Sequence, residues 1–154
     1  MLIKSLVRSL VVILGMSGQH SLADDGLLEG YTWQNRLLLI FAPGANDPRL
    51  RAQNEILATV EPALRERDLI VLRLLPDSSV TIDKRPVAGS EATMIYREFA
   101  IDRPAFAVLL IGKDGGVKLS SDTSVAANTL FDLIDSMPMR QWEIQNQASS
   151  NPQE

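Results

Sequence analysis

The sequence predicts an α/β fold: a mixed four-stranded sheet, two parallel strands plus an antiparallel hairpin, with helices on both faces. Three observations carry this expectation. Two runs, Leu37–Phe41 and Phe106–Ile111, are continuously apolar, as strands are when both of their faces are buried at the centre of a sheet. The second run leads through Lys113-Asp114-Gly115-Gly116 into the alternating Val117-Lys118-Leu119, the pattern of a tight hairpin. The elements also follow the order strand, helix, strand, helix, hairpin, helix. A strand–helix–strand unit of this kind joins parallel strands by a right-handed crossover.

The chain has 154 residues, room for one domain plus ends. Residues 1–23 are expected to lie outside the fold. Lys4 and Arg8 precede an apolar stretch, and Ser21-Leu22-Ala23 places small residues where a signal peptidase needs them. Residues 24–146 are then the domain and 147–154 a polar, disordered tail. The alternative, an uncleaved anchor, is disfavoured because the apolar run is short for a bilayer.

Tyr31 to Arg36 leads into the first strand, which Ala42-Pro43-Gly44-Ala45 stops. Asn46 or Asp47 is placed to cap a helix with Pro48 in its first turn. Leu50, Gln53, Leu57, Val60 and Leu64 fall at helical spacing, and Pro62 must kink or split that helix. Leu69–Leu75 reads as the second strand. Residues 76–89 read as a loop with a short extended piece at Val80–Ile82. Ser90 is expected to cap a helix over 91–100 that buries Met94, Ile95 and Phe99. In the hairpin, Asp114-Gly115 supplies the two positive-φ positions of a type I′ turn and Gly116 absorbs a bulge. Asp122, Thr123 or Ser124 opens the last main helix, with Leu130, Phe131 and Ile134 inward, and a short helical turn passes through Trp142 and Ile144. Trp33 and Tyr31 are expected to cover the sheet, and Trp142 with Met137 and Met139 to dock the C-terminal segment. Exposed, the same residues would form a partner surface.

Charge and composition narrow the chemistry. There are no cysteines, and the one histidine, His20, lies within the expected leader. Thiol redox, disulfides, Cys- or His-based nucleophilic catalysis and His-ligated metals are thereby removed from the mature domain. Asp, Glu, Lys, Tyr, Ser and Arg remain. The formal charge of −4 becomes −6 once the two basic leader residues leave, which argues against nucleic acid and anionic lipid as partners.

Four residues at the carboxyl end of the first strand are the candidate ligand-binding set: Asn46, Asp47, Arg49 and Arg51. Open α/β sheets present ligands at that edge, and a helix N-terminus with two arginines suits an anion. The bland alternative is a capped helix with a solvated basic face. Lys113, Asp114 and Lys118 are read as solvated turn residues. Asp77, Asp83, Asp122 and Asp135 share no metal-ligand spacing, and neither a metal nor a cofactor is expected.

Longer stretches resemble a known family. They are Tyr31-x-Trp33-x-Asn35-Arg36, Phe41-Ala42-Pro43, Asp47-Pro48-Arg49-Leu50 with Gln53, Arg67-Asp68, Leu110 to Leu119, and Ile134 to Arg140. Together they are similar to a thioredoxin-like, peroxiredoxin-like family of unknown function, found in exported bacterial proteins and in sushi-repeat-containing extracellular proteins, sometimes called P-DUDES. The likeness covers roughly residues 28–143. It implies a thioredoxin-like domain in which Pro43 matches the peroxiredoxin proline, Asp47 stands at the threonine place and Leu50 at the reactive cysteine place. Leucine forms no thiolate, so peroxidase chemistry is lost. Pro104 lies near the proline that precedes the hairpin in thioredoxins, which leaves the isomer of its peptide bond open.

The expected function is therefore an exported, non-catalytic domain, periplasmic or secreted. It binds a protein or small anion at the former active-site edge, with no nucleic acid and no membrane insertion after cleavage. A carboxylate/arginine enzyme at that edge and a structural envelope component are the alternatives.

Overall fold

The structure, a computed structural model, describes residues 27–76, 80–82, 85–87 and 89–150. The expected leader, Asp77 and Asp83 lie outside the described residues. A short 3-10 turn, Glu29–Tyr31, precedes β1, Arg36–Phe41. Then follow α1 (Pro48–Ala58), α2 (Glu61–Glu66), β2 (Leu69–Leu74), β3 (Val80–Ile82), β4 (Arg85–Val87) and α3 (Gly89–Glu98). The chain finishes with β5 (Ala107–Ile111), β6 (Val117–Ser121), α4 (Ala127–Asp135) and α5 (Pro138–Ser150).

The sheet order is β4-β3-β2-β1-β5-β6. β1 and β2 are parallel, and the other neighbours are antiparallel. The expected four-stranded core is present, thioredoxin-like in order, with β1 and β5 buried along their whole lengths. It is extended to six strands because Val80–Ile82 pairs with β2 and Arg85–Val87 pairs with Val80–Ile82, so the expected 76–89 loop contributes two short antiparallel strands.

Alternation along the strands divides the core in two. Leu38, Ile40, Val71 and Leu110 meet Leu50 and Leu57 of α1, Leu64 of α2 and Leu130 and Ile134 of α4. Leu37, Leu39, Phe41, Leu72 and Leu109 meet Ala92, Ile95 and Tyr96 of α3 on the other face. Phe41 and Tyr96 pack edge to face, with centroids 4.9 Å apart. Removing one of these side chains, as in Leu38→Ala, costs about 2–5 kcal/mol.

Proline sets the break between the first two helices. Pro62 has no N–H for the Ala58 carbonyl, and its ring would crowd that oxygen, so α1 ends at Ala58 and Pro62 falls in the first turn of α2. Asp47 is the cap: its carboxylate accepts from the Arg49 N–H at 2.8 Å. Gln53, fully buried, exchanges two hydrogen bonds with the Val125 backbone, 3.1 and 2.7 Å, tying α1 to the lead-in of α4.

Several local expectations are corrected. Only Gly115 has positive φ in the hairpin turn, at 78°. Its N–H reaches the Gly112 carbonyl, giving a type I turn followed by one left-handed residue rather than a type I′ turn. The Asp114 carboxylate completes it by accepting from the Gly116 N–H. The bulge falls at Lys118, because Leu110 pairs with Leu119 and Ile111 with Val117. α3 starts before Ser90, exposes Met94 and buries Tyr96, whose hydroxyl donates to the Leu74 carbonyl at 3.0 Å. α4 begins three residues after Ser124, without a side-chain cap, since the Ser121 hydroxyl donates to the Thr123 carbonyl and accepts from the Thr123 N–H in a turn of its own. α5 is a thirteen-residue helix that reaches Ser150, past the expected start of the tail at Gln147. Good helix formers, with Pro138 at its start, allow it to continue. The bond between Arg103 and Pro104 is cis.

Candidate functional site

The Asn46–Arg51 edge is built as expected but is electrically closed. Asp47 caps α1 and also takes the Arg49 guanidinium through two contacts, 3.1 and 2.8 Å. The hydrogen bonds from Arg49, outweighing slight desolvation, hold the Asp47 carboxyl below its usual value. Arg49 also lies over the Phe106 ring, 4.8 Å from its centroid. Asn46 and Arg51 are exposed, and Leu50 at the cysteine place is buried in the core. The two described clefts are lined by none of Asn46, Asp47, Arg49 and Arg51.

At the opposite end of the sheet, five distant segments meet in an ion network. Arg36, which opens β1, is 1% exposed. Its two terminal nitrogens donate to Glu143 at 3.2 Å each, and one also donates to the Arg67 carbonyl. Lys113, from the hairpin turn, bridges Asp68 and Glu143 at 2.8 and 2.7 Å, so the expectation of a solvated lysine is wrong there. Arg140, also 1% exposed, bonds Glu66 at 2.7 Å and Asp135 at 3.3 Å. Arg67 holds Asp135 through two contacts and lies over Phe131. Four cations thus face four carboxylates: Glu66, Asp68, Asp135 and Glu143.

Asp135 and Glu143 both sit below the ordinary carboxyl range. Burial pushes Asp135 upward, and the hydrogen bonds and charge of Arg67 and Arg140 overcome it, leaving it lowered. Glu143 is likewise raised by burial and lowered further by Lys113 and Arg36. The network fixes the start of α5 to the sheet. Its residues come largely from the stretches on which the family resemblance rests. Sequence reasoning missed the assembly because its partners are far apart in the chain; the one local signal is an arginine opening an apolar strand.

The backbone at this end is unusual. All three described non-glycine residues with positive φ gather here: Trp33 at 64°, Asp68 at 48° and Ala100 at 51°. The Trp33 N–H is held by the Lys113 carbonyl at 2.6 Å. Ala100 follows Phe99, which lines a small cleft with Ile111 and Gly112. Neither tryptophan packs as expected. Trp33 is 67% exposed and Trp142 65%.

Beside this end lies the larger of the two clefts, about 810 Å³. It exists because β3 carries the sheet past the cover of α1 and α2. Val71, Arg73 and Thr81 form its floor, and Asn54, Leu57 and Leu64 its wall. Arg73 donates to the Asn54 side-chain oxygen at 2.6 Å. Asn35 and Asp68 line the cleft where it reaches the ion network. Among the described residues no group of three or more His, Cys, Asp or Glu is arranged to hold a metal, and no helix is long and apolar enough to cross a membrane.

Comparison with known proteins agrees with this architecture. A 2-Cys peroxiredoxin of Plasmodium vivax, in its reduced form, shares the fold with a TM-score of 0.54 at 17% identity, over 76% of this chain and 84% of that one. Coiled-coil domain-containing protein 80 of Danio rerio is 30% identical over 143 residues, 81% of this chain. The match spans 16% of that protein's length, so the chain corresponds to a small part of it. Residues 27–143 match the family described as "Domain of unknown function (DUF4174)", and that coverage makes this cysteine-free, thioredoxin-like chain a member of it.

Proposed function

We propose that the protein is an exported, non-catalytic binding domain that takes its ligand in the cleft between α1–α2 and β2–β3. The observation that carries this reading is the cleft itself. Its volume, about 810 Å³, falls within the range of small-molecule sites, and its lining mixes amides, a hydroxyl and charged groups with leucine and valine. Leu50, buried where the related peroxidases place their nucleophile, supports binding over sulfur chemistry. So do the carboxyl shifts, which run downward at Asp47, Asp114, Asp135 and Glu143; an acid–base catalyst needs a carboxyl pushed upward. Export, and with it a periplasmic or secreted location, rests on the leader-like residues 1–23.

The test is native mass spectrometry of the purified full chain after incubation with small molecules extracted from the cell envelope. A retained adduct is expected with the wild type and with Arg49→Ala/Arg51→Ala, and is lost in Ala58→Phe, which fills the cleft from the end of α1. The reverse pattern moves the site to the Asn46–Arg51 edge.

A further inference from the structure

We propose that the smaller cleft is a site for an aliphatic amine in its protonated form, separate from the site assigned above. The cleft lies on the α3 side of the sheet, at the amino end of β1. Leu37 of β1 and Ile111 of β5 line it from the sheet, Tyr31 from the 3-10 turn and Phe99 from the residue after α3. Its volume, about 70 Å³, is far below the roughly 300 Å³ at which pockets for drug-sized molecules begin. It admits a group the size of a side chain and excludes a nucleotide or a sugar chain.

Charge then selects the occupant. Glu29 and Glu98 are the only charged residues that line this cleft, and among the described residues neither is in an ion pair with a lysine or arginine. The other carboxylates at this end, Glu66, Asp68, Asp135 and Glu143, all are. Neighbouring cations are turned elsewhere: Lys113 to Asp68 and Glu143, Lys118 to Asp114, Arg103 to the Tyr96 ring. Arg97 precedes Glu98 on α3 but does not line the cleft. The larger cleft differs, because Arg65 and Arg73 there offset Glu61 and Asp68.

Two uncompensated carboxylates beside two aromatic rings suit a positive charge carried on an apolar stem. The charge is attracted by the glutamates and by the rings. The methylene groups gain from contact with Leu37 and Ile111. A metal ion fits less well, since calcium and magnesium need six or more oxygen ligands and gain nothing from an apolar wall.

The walls are in place before a ligand arrives. The Tyr31 N–H bonds the Leu28 carbonyl, and the Gln34 and Asn35 N–H groups bond the Tyr31 carbonyl. Across the cleft, the Ala100 N–H bonds the Arg97 carbonyl and the Ile101 N–H bonds the Tyr96 carbonyl, which fixes Phe99. The Gly115 N–H, bonded to the Gly112 carbonyl, holds the hairpin turn against them. Little ordering cost is left for binding.

The experiment follows the backbone amides of the full chain by heteronuclear NMR. Putrescine, cadaverine, acetyl-lysine methylamide, butanol or magnesium chloride is added to about 10 mM. Saturable shifts are expected at Thr32, Phe99, Gly112 and Gly115 with the amines. They should weaken as salt rises from about 0.1 M to about 1 M and the screening length falls from about 10 Å to about 3 Å. Glu29→Gln and Glu98→Gln should each weaken amine binding by about twofold to fivefold, and the double variant by about tenfold, with an unchanged melting temperature because both side chains are exposed. Tighter binding of a diamine than of the lysine derivative identifies a free amine as the source; the reverse order identifies a lysine side chain on a polypeptide. The proposal is overturned if no amine gives a saturable shift, or if the double variant binds like the wild type. It is equally overturned if butanol reproduces the shifts, which would make the cleft a plain apolar slot, or if magnesium does, which would make it a diffuse acidic surface. Glu29 and Glu98 line only this cleft, so the double variant should keep the envelope-derived adduct of the larger one, and the two readings fail separately.

Discussion

At the carboxyl end of β1, Arg49, its side chain 43% exposed, meets Asp47 two residues away; at the amino end, Arg36, 1% exposed, meets Glu143, 107 residues away. The two pairs contain the same chemistry and do different work. Asp47–Arg49 forms between near neighbours and leaves its arginine half in water, so its main contribution is the cap on α1. Arg36–Glu143 belongs to a network that exists only when β1, the α2–β2 junction, the hairpin turn, α4 and α5 are all in place. An arginine 1% exposed is tolerable there only while its counter-charges remain. The comparison teaches that the Asn46–Arg51 edge is the quiet end of this molecule. Strain, buried charge and exposed aromatics are concentrated at the other.

The largest effect is therefore expected from Glu143→Ala, which leaves Arg36 and Lys113 without their shared partner. A loss of about 3–5 kcal/mol in urea unfolding is predicted. A loss below about 1 kcal/mol would mean that the two ends do not differ as described.

Acid should reveal the same asymmetry. The Glu143 and Asp135 carboxyls sit below their ordinary values in the folded state. Their contribution is thus complete above the unfolded carboxyl pKa, about 4, and disappears as pH falls through the lower folded values. The urea midpoint should fall between pH 5 and pH 3 in wild type, and the fall should be shallower in Glu143→Gln and also, through the lowered Asp47 carboxyl, in Asp47→Asn. An identical fall in Glu143→Gln would remove the network as its source.

At the quiet end, Asp47→Ala should cost about 1 kcal/mol through loss of the helix cap. Back at the strained end, Ala100→Gly should stabilise by about 0.5–1 kcal/mol. Ala100 closes α3 with positive φ while the Ile101 N–H bonds the Tyr96 carbonyl, the position at which helices favour glycine. The smallest effect is assigned to Arg49→Ala, which should leave the urea midpoint unchanged at low and high salt.

Much of the fold was legible because it is written in short-range pattern. Continuous apolar runs located β1 and β5, Pro62 divided α1 from α2, and Asp47 with Pro48 marked where α1 begins. The β3–β4 pair was harder to read, since strands of three residues carry too few positions for a period to show. Tyr96 takes the inward place expected of Met94, because both suit a buried helix face. Which one turns inward depends on Phe41 and Leu74, supplied by other strands.

The sequence by itself determined what chemistry is missing and which strands lie at the centre, since a side chain's reactivity and a strand's burial pattern are carried locally. Only the tertiary structure decided where charge is buried and where tryptophan is displayed. Arg36, Lys113, Arg140 and Glu143 look like ordinary surface residues until five segments converge and remove them from water. Trp33 and Trp142 look like core residues until the same convergence leaves them outside. Desolvation depends on every neighbour at once, and most of those neighbours are distant in the chain.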